Sequence, residues 1–108
     1  MPPLEVELTA LGSLLLPAEL ALHRFPADLV AARLEPGELW LYPLRGAGAG
    51  GLLLKRRNAA GDRAVLLGPM LPPSLPAGRC LAFWDSTHAA LRVSLPAPPG
   101  PGADEPAC

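Results

Sequence analysis

Asp85, Ser86 and His88 are the residue types of a hydrolytic triad, crowded into one short stretch. A triad works because its members arrive from separate elements and converge on one reacting atom, and a single tight turn cannot supply that geometry. Local hydrogen bonding within a turn is the expected role of Asp85 and Ser86. His23, His88 and Cys80 lack the paired C-x-x-C or H-x-x-x-H spacing of a zinc centre, so no metal site is expected. Glu5, Glu7 and Glu19 have the pattern of a solvated face rather than of two carboxyls tuned for acid and base work. Gly46, Gly48 and Gly51 spell G-x-G-x-x-G, but the run that follows, LLLKRRN, is strand-like. The pyrophosphate cradle needs a helix N-terminus there. The expectation is therefore a protein with no catalytic, cofactor-binding or metal-binding residues.

One constellation stands out. Lys55, Arg56, Arg57 and Arg63 gather around a turn, with Arg45 at the far end of the glycine linker. Cations at a strand end ordinarily serve solubility and pairing, here with Asp62. The functional alternative is a docking patch for an acidic partner. If Trp40, Tyr42 or Trp84 lay beside it, the surface would combine aromatic anchors with Arg, types enriched at protein interfaces. The candidate partner-binding residues are thus Arg45, Lys55, Arg56, Arg57, Arg63, Trp40 and Tyr42.

These residues are positioned by the stretch Gly51 to Leu67, in which two Leu/Val-rich arms flank Asn58-Ala59-Ala60-Gly61-Asp62. This is the layout of a β-hairpin. Gly61 can take the positive φ such a loop needs, while Asn58 and Asp62 can bond nearby backbone groups. Three consecutive leucines, Leu52 to Leu54, suit a central strand covered on both faces. On the return arm Arg63, Val65 and Leu67 share one face, and Ala64 with Leu66 the other.

The rest of the chain is punctuated into short elements by 15 prolines and 11 glycines, which excludes long helices. Leu4, Val6 and Leu8 alternate with Glu5, Glu7 and Thr9, a strand with one wet face, and Leu14 to Leu16 can return beside it. Pro17-Ala18-Glu19 and Pro26-Ala27-Asp28 each place a proline and an acid where a helix can begin, and Asp28 to Leu34 is expected as a short helix. Glu35-Pro36-Gly37-Glu38 then has the composition of a type II turn. In the strand from Glu38 to Leu44, Leu39 and Leu41 face one side, Trp40 and Tyr42 the other. Gly68 to Gly78 is expected as an extended, surface-lying crossing loop. Arg79 to Trp84 and Ala89 to Leu95 form a second hairpin, with Leu91, Val93 and Leu95 inward and Arg92 and Ser94 outward.

With 108 residues and 50% hydrophobic content, the chain supports a single core. The fold expected is mostly β: a small single-domain barrel or two-layer sandwich of about six short antiparallel strands, with at most one or two short helices. Residues 1–96 make up the domain, and 97–108 have the composition of a disordered tail. A net charge of −1 gives no global attraction to nucleic acid or acidic membranes. A disulfide from Cys80 to Cys108 would fasten only a tail, so a reducing, cytoplasmic setting is expected. The first twenty residues lack a basic region and a long apolar run, which argues against a secretory signal or membrane span. The function expected is a non-catalytic protein-binding module, an accessory or assembly subunit. The alternative is a nucleic-acid-binding barrel using the same basic hairpin with nearby aromatics.

Overall fold

Alternation of apolar and polar residues turns most of this chain into strands. A computed structural model of the protein describes residues 4–45, 51–72 and 75–96. The expected disordered tail, and most of the glycine linker, lie outside the described residues. Nine strands run along the chain: β1 (Leu4–Leu8), β2 (Ser13–Leu16), β3 (Leu29–Glu35), β4 (Glu38–Pro43), β5 (Leu52–Leu53), β6 (Lys55–Arg56), β7 (Arg63–Leu66), β8 (Gly78–Asp85) and β9 (Ala90–Ser94). One helix, α1 (Ala18–Arg24), separates β2 from β3. All pairings are antiparallel, in the order β5-β3-β4-β9-β8-β1-β2-β7-β6.

The two ends of that order are β5 and β6, which Leu54 alone separates in sequence. The chain from Leu52 to Arg56 therefore crosses from β3 to β7 and draws the sheet into a nearly closed barrel. The strand count is nine rather than about six, because the first arm of the hairpin divides between two ladders and β3 replaces a helix.

Inward residues fill the barrel. Val6, Leu8, Leu14, Leu16, Val30, Leu39, Leu41, Leu54, Val65, Leu67, Leu91 and Val93 are all buried. Each such aliphatic side chain contributes about 1.5–3 kcal/mol by leaving water. The face alternation expected for β1, β4, β7 and β9 holds: Leu39 and Leu41 are buried while Trp40 and Tyr42 stay half-exposed, and Val65 is buried while Leu66 is exposed.

Four expectations need correction. Residues 28–34 are not a helix. The chain leaves α1 through Phe25, Asp28 takes φ +56°, and Leu29–Glu35 pairs with β4 from Val30↔Pro43 to Glu35↔Glu38. A ladder to β4 and β5 outweighs a local proline and acid that are only permissive for a helix. The Leu52–Leu54 run is not a central strand covered on both faces, since β5 ends the sheet order and Leu53 is 53% exposed. The Gly68–Gly78 loop is not simply extended, because Gly68–Met70 forms a 3-10 turn with Pro69 in its first turn. Nor does that loop only skim the surface: Met70, Leu71 and Leu75 pack against the core.

Helix α1 forms at the first of the two places, Pro17, where the sequence permits a helix to begin. Glu19 lies in its first turn and His23 with Arg24 in its last, each complementing the helix dipole. Leu20 and Ala21 are buried, and Phe25 just beyond the helix joins the core. Between β3 and β4, Gly37 has φ +75°, as the second central residue of a type II turn requires.

Candidate partner-binding surface

The basic hairpin is a rigid object. Its ladder pairs Lys55 with Ala64 and Arg56 with Arg63, and the Arg57 amide donates to Asp62 O at 2.9 Å. Gly61 turns the chain at φ +92°. Asn58 and Asp62 clamp the turn from both sides: the Asp62 amide donates to Asn58 Oδ1 at 3.1 Å, and Asn58 Nδ2 to Asp62 Oδ2 at 3.0 Å.

The tip is also docked onto the body. The Ala18 amide donates to Asp62 Oδ1 at 2.8 Å. Pro17, at the N-cap position of α1, has no side chain that can accept from the first turn, so Asp62, 44 positions from Ala18, does so. The Asn58 amide group holds the Asp62 carboxyl below its usual range, and the Ala18 amide and the Arg57 charge add to this. A second tie is the ion pair from Arg63 Nε to Asp28 Oδ1 at 3.0 Å.

These ties divide the four cations of the hairpin. Arg56 and Arg63 stand directly opposite each other, an arrangement that repels unless each finds an acceptor. Arg63 turns to Asp28 and to the Gly61 carbonyl. Arg56 turns to the carbonyls of Asn58 and Ala59, both at 3.3 Å. Lys55, Arg56 and Arg57 are all exposed. Lys55 borders an apolar depression of about 440 Å³ with Leu53 and Leu66. Arg57 borders a polar groove of about 270 Å³ with Glu5, Glu7, Asp62 and Arg79.

The other candidates lie elsewhere. Arg45 follows β4 and lines a depression with His23 and Arg24. Trp40 and Tyr42 project from the outer face of β4, two places from the β5 edge. Their rings are 6.2 Å apart, and the neighbours of Trp40 are Arg92, at 4.7 Å, and His88, at 5.0 Å. The structure thus brings Lys55, Arg56, Arg57 and Arg63 together and separates them from Arg45, Trp40 and Tyr42.

Sequence reasoning missed a polar network on the outer face of β4, β9 and β8. Arg92 donates through Nε and Nη2 to Glu38 Oε1, at 3.0 and 2.9 Å, and through Nη1 to Asp85 Oδ2 at 3.1 Å. Its guanidinium lies over the rings of Trp40 and Phe83. His88 Nδ1 donates to Asp85 Oδ2 at 2.9 Å and its amide to Asp85 Oδ1 at 3.1 Å. The hydrogen bond from the His88 side chain is the largest influence holding Asp85 at a pKa of about 2. The Glu38 bonds raise that of Arg92. The Asp85 turn therefore serves local bonding, as its composition suggested, and the network braces three strands. Only the register Trp40↔Arg92↔Phe83 reveals it, and no local signal carries that register.

Comparison of the chain with family models, curated proteins and solved structures finds no match.

Proposed function

We propose that this domain is a non-catalytic, cytoplasmic protein-binding module, an accessory or assembly subunit that docks an acidic partner through its basic hairpin. The observation that carries the reading is the division of labour among the hairpin cations. Arg63 is engaged by Asp28 of the barrel, while Lys55, Arg56 and Arg57 face solvent, Arg56 bonding only carbonyls of its own turn, on a tip held at Ala18 and Asp28. Lys55 beside the exposed leucines Leu53 and Leu66 supplies steering charge next to apolar area, and Arg57 adds a second cation on the same hairpin arm.

The nucleic-acid alternative has less support. Bases stack on open aromatic faces, whereas Trp40 is covered by Arg92 and His88 and stands apart from the hairpin.

The test is a pull-down from the native host with wild-type and K55E/R57E baits of equal folding by circular dichroism. Partners should be retained by the wild type, lost by the variant and only partly displaced by salt. Equal recovery by both baits would refute the hairpin as the docking element. Recovery of nucleic acid with a steep salt dependence would favour the alternative.

A further inference from the structure

Around the last turn of α1 two depressions adjoin, sharing His23 and Arg24. The first, of about 300 Å³, has an apolar floor of Leu4, Pro17, Leu20 and Trp84, with Glu19 at one side. The second, of about 510 Å³, continues past Pro26 and Pro43 to Arg45. The Arg24 guanidinium sits 4.5 Å above the Trp84 ring, whose edge contact to Phe25 fixes it to the core. The result is an apolar socket opening onto a basic shelf.

Charge says what would fill it. Arg33, Arg63, Arg79 and Arg92 each have a carboxylate within ion-pair distance. Among the described residues, Arg24 and Arg45 have none. Among the described residues Glu19 is the one carboxylate lining either depression, set against two guanidiniums. A complementary ligand carries negative charge for the shelf and a bulky apolar group for the socket. The recessed floor suits an inserted side chain rather than a lipid surface, which apolar groups must penetrate. Trp84 has one face already covered by Arg24, which disfavours base stacking.

We infer that this cleft docks an acidic segment of a partner protein, seating an aromatic or long aliphatic anchor on Leu4, Leu20 and Trp84 while Arg24 and Arg45 pair with flanking carboxylates. It rests on the reading of the domain as a binder of acidic protein and supplies the anchor site that the hairpin lacks. Buried apolar or aromatic anchors carry most of the energy of such interfaces, and rim charges set encounter and specificity.

The probe is a terminally blocked hexapeptide of sequence EDFLDE, titrated into the isotope-labelled full chain and followed by nuclear magnetic resonance. The controls are KKFLKK, which keeps the anchor, and EDSSDE, which keeps the charge. Saturable shifts of the Trp84 indole and of the His23, Arg24 and Arg45 amides by EDFLDE are expected, with both controls at least tenfold weaker. The R24E/R45E variant should weaken EDFLDE at least tenfold, and R24Q/R45Q, which introduces no repulsion, should weaken it by less. Equal binding of KKFLKK, or no shift at millimolar EDFLDE, would overturn the inference. Shifts confined to Lys55, Arg56 and Arg57 would overturn it too, while leaving the hairpin reading standing. Tenfold tighter peptide binding after removal of residues 97–108, which contain Asp104 and Glu105, would assign the cleft to the chain's own acidic segment instead.

Discussion

Asp62 accepts a hydrogen bond from the Ala18 amide at 2.8 Å, joining the tip of the basic hairpin to the first turn of the barrel's helix. Replacing Asp62 with Ala should loosen both elements together, because the turn loses its Asn58 clamp and α1 loses its acceptor. Hydrogen exchange should quicken at Ala18 and at Gly61 in the same variant. Faster exchange at Gly61 alone would show that the helix does not depend on this contact.

Leu54 and Val65 face the interior where the sheet ends meet, 2% and 1% exposed. Truncation of Leu54 to Ala should cost about 2–4 kcal/mol, and of Val65 somewhat less. Urea midpoints read the difference. Midpoints equal to wild type would mean that the closing run does not line the core.

Arg63 and Asp28 form a half-buried ion pair, with side chains 19% and 39% exposed. A double-mutant cycle through R63M and D28N should return a coupling of about 0.5–1 kcal/mol, at the upper end for partly exposed pairs. Arg57 has no such partner among the described residues, so R57E should shift the urea midpoint by no more than about 0.5 kcal/mol in stability. The proposed docking role can therefore be tested apart from folding at Arg57 and not at Arg63.

The pH dependence of stability should carry the signature of Asp85. Its folded pKa of about 2 lies below the ordinary 3.8. A depressed carboxylate stabilises the fold above its unfolded pKa and loses that contribution as pH falls through the folded value. The loss therefore belongs between about pH 4 and pH 2. Thermal melts of D85N should be flatter than wild type across that window, and parallel slopes would contradict the assignment.

Removal of residues 97–108 should leave the melting temperature unchanged within a degree or two. Their Pro, Gly and Ala composition offers little apolar area to bury. Calorimetry of the shortened chain checks this, and a clear drop would show that the segment contributes to the fold.

Much of this barrel was legible wherever burial imposes a period of two. The strands at Leu4–Leu8, Glu38–Pro43 and Ala90–Ser94 each write their inward face into alternate residues. Leu29–Glu35 was not legible, because Ala31, Ala32 and Arg33 favour a helix by local propensity, and only pairing with β4 overrides it. The leucine triplet misled for a related reason: Leu53 faces out at the seam, so hydrophobicity there does not report burial. In the candidate surface, the clustering of Lys55, Arg56, Arg57 and Arg63 was visible as proximity in sequence. The engagement of Arg63 alone by the barrel was not, since it depends on Asp28, a residue 35 positions from Arg63. Arg24 escaped notice because its partner, Trp84, lies on the last strand but one.

The run from Leu52 to Arg56 joins a local pairing to a distant one. Its ladder with β7 closes a short hairpin, whereas its ladder with β3 reaches back across β4 and the glycine linker. Chain closure across that gap is a non-local event that carries an entropic cost. The Leu54 amide, donating to Asp28 O at 2.8 Å, is the latch of that closure. Exchange at this one amide should therefore report the opening of the seam as a unit, well before the β1–β8–β9–β4 ladder releases. The barrel is then expected to behave as a clasp that opens first at Leu54.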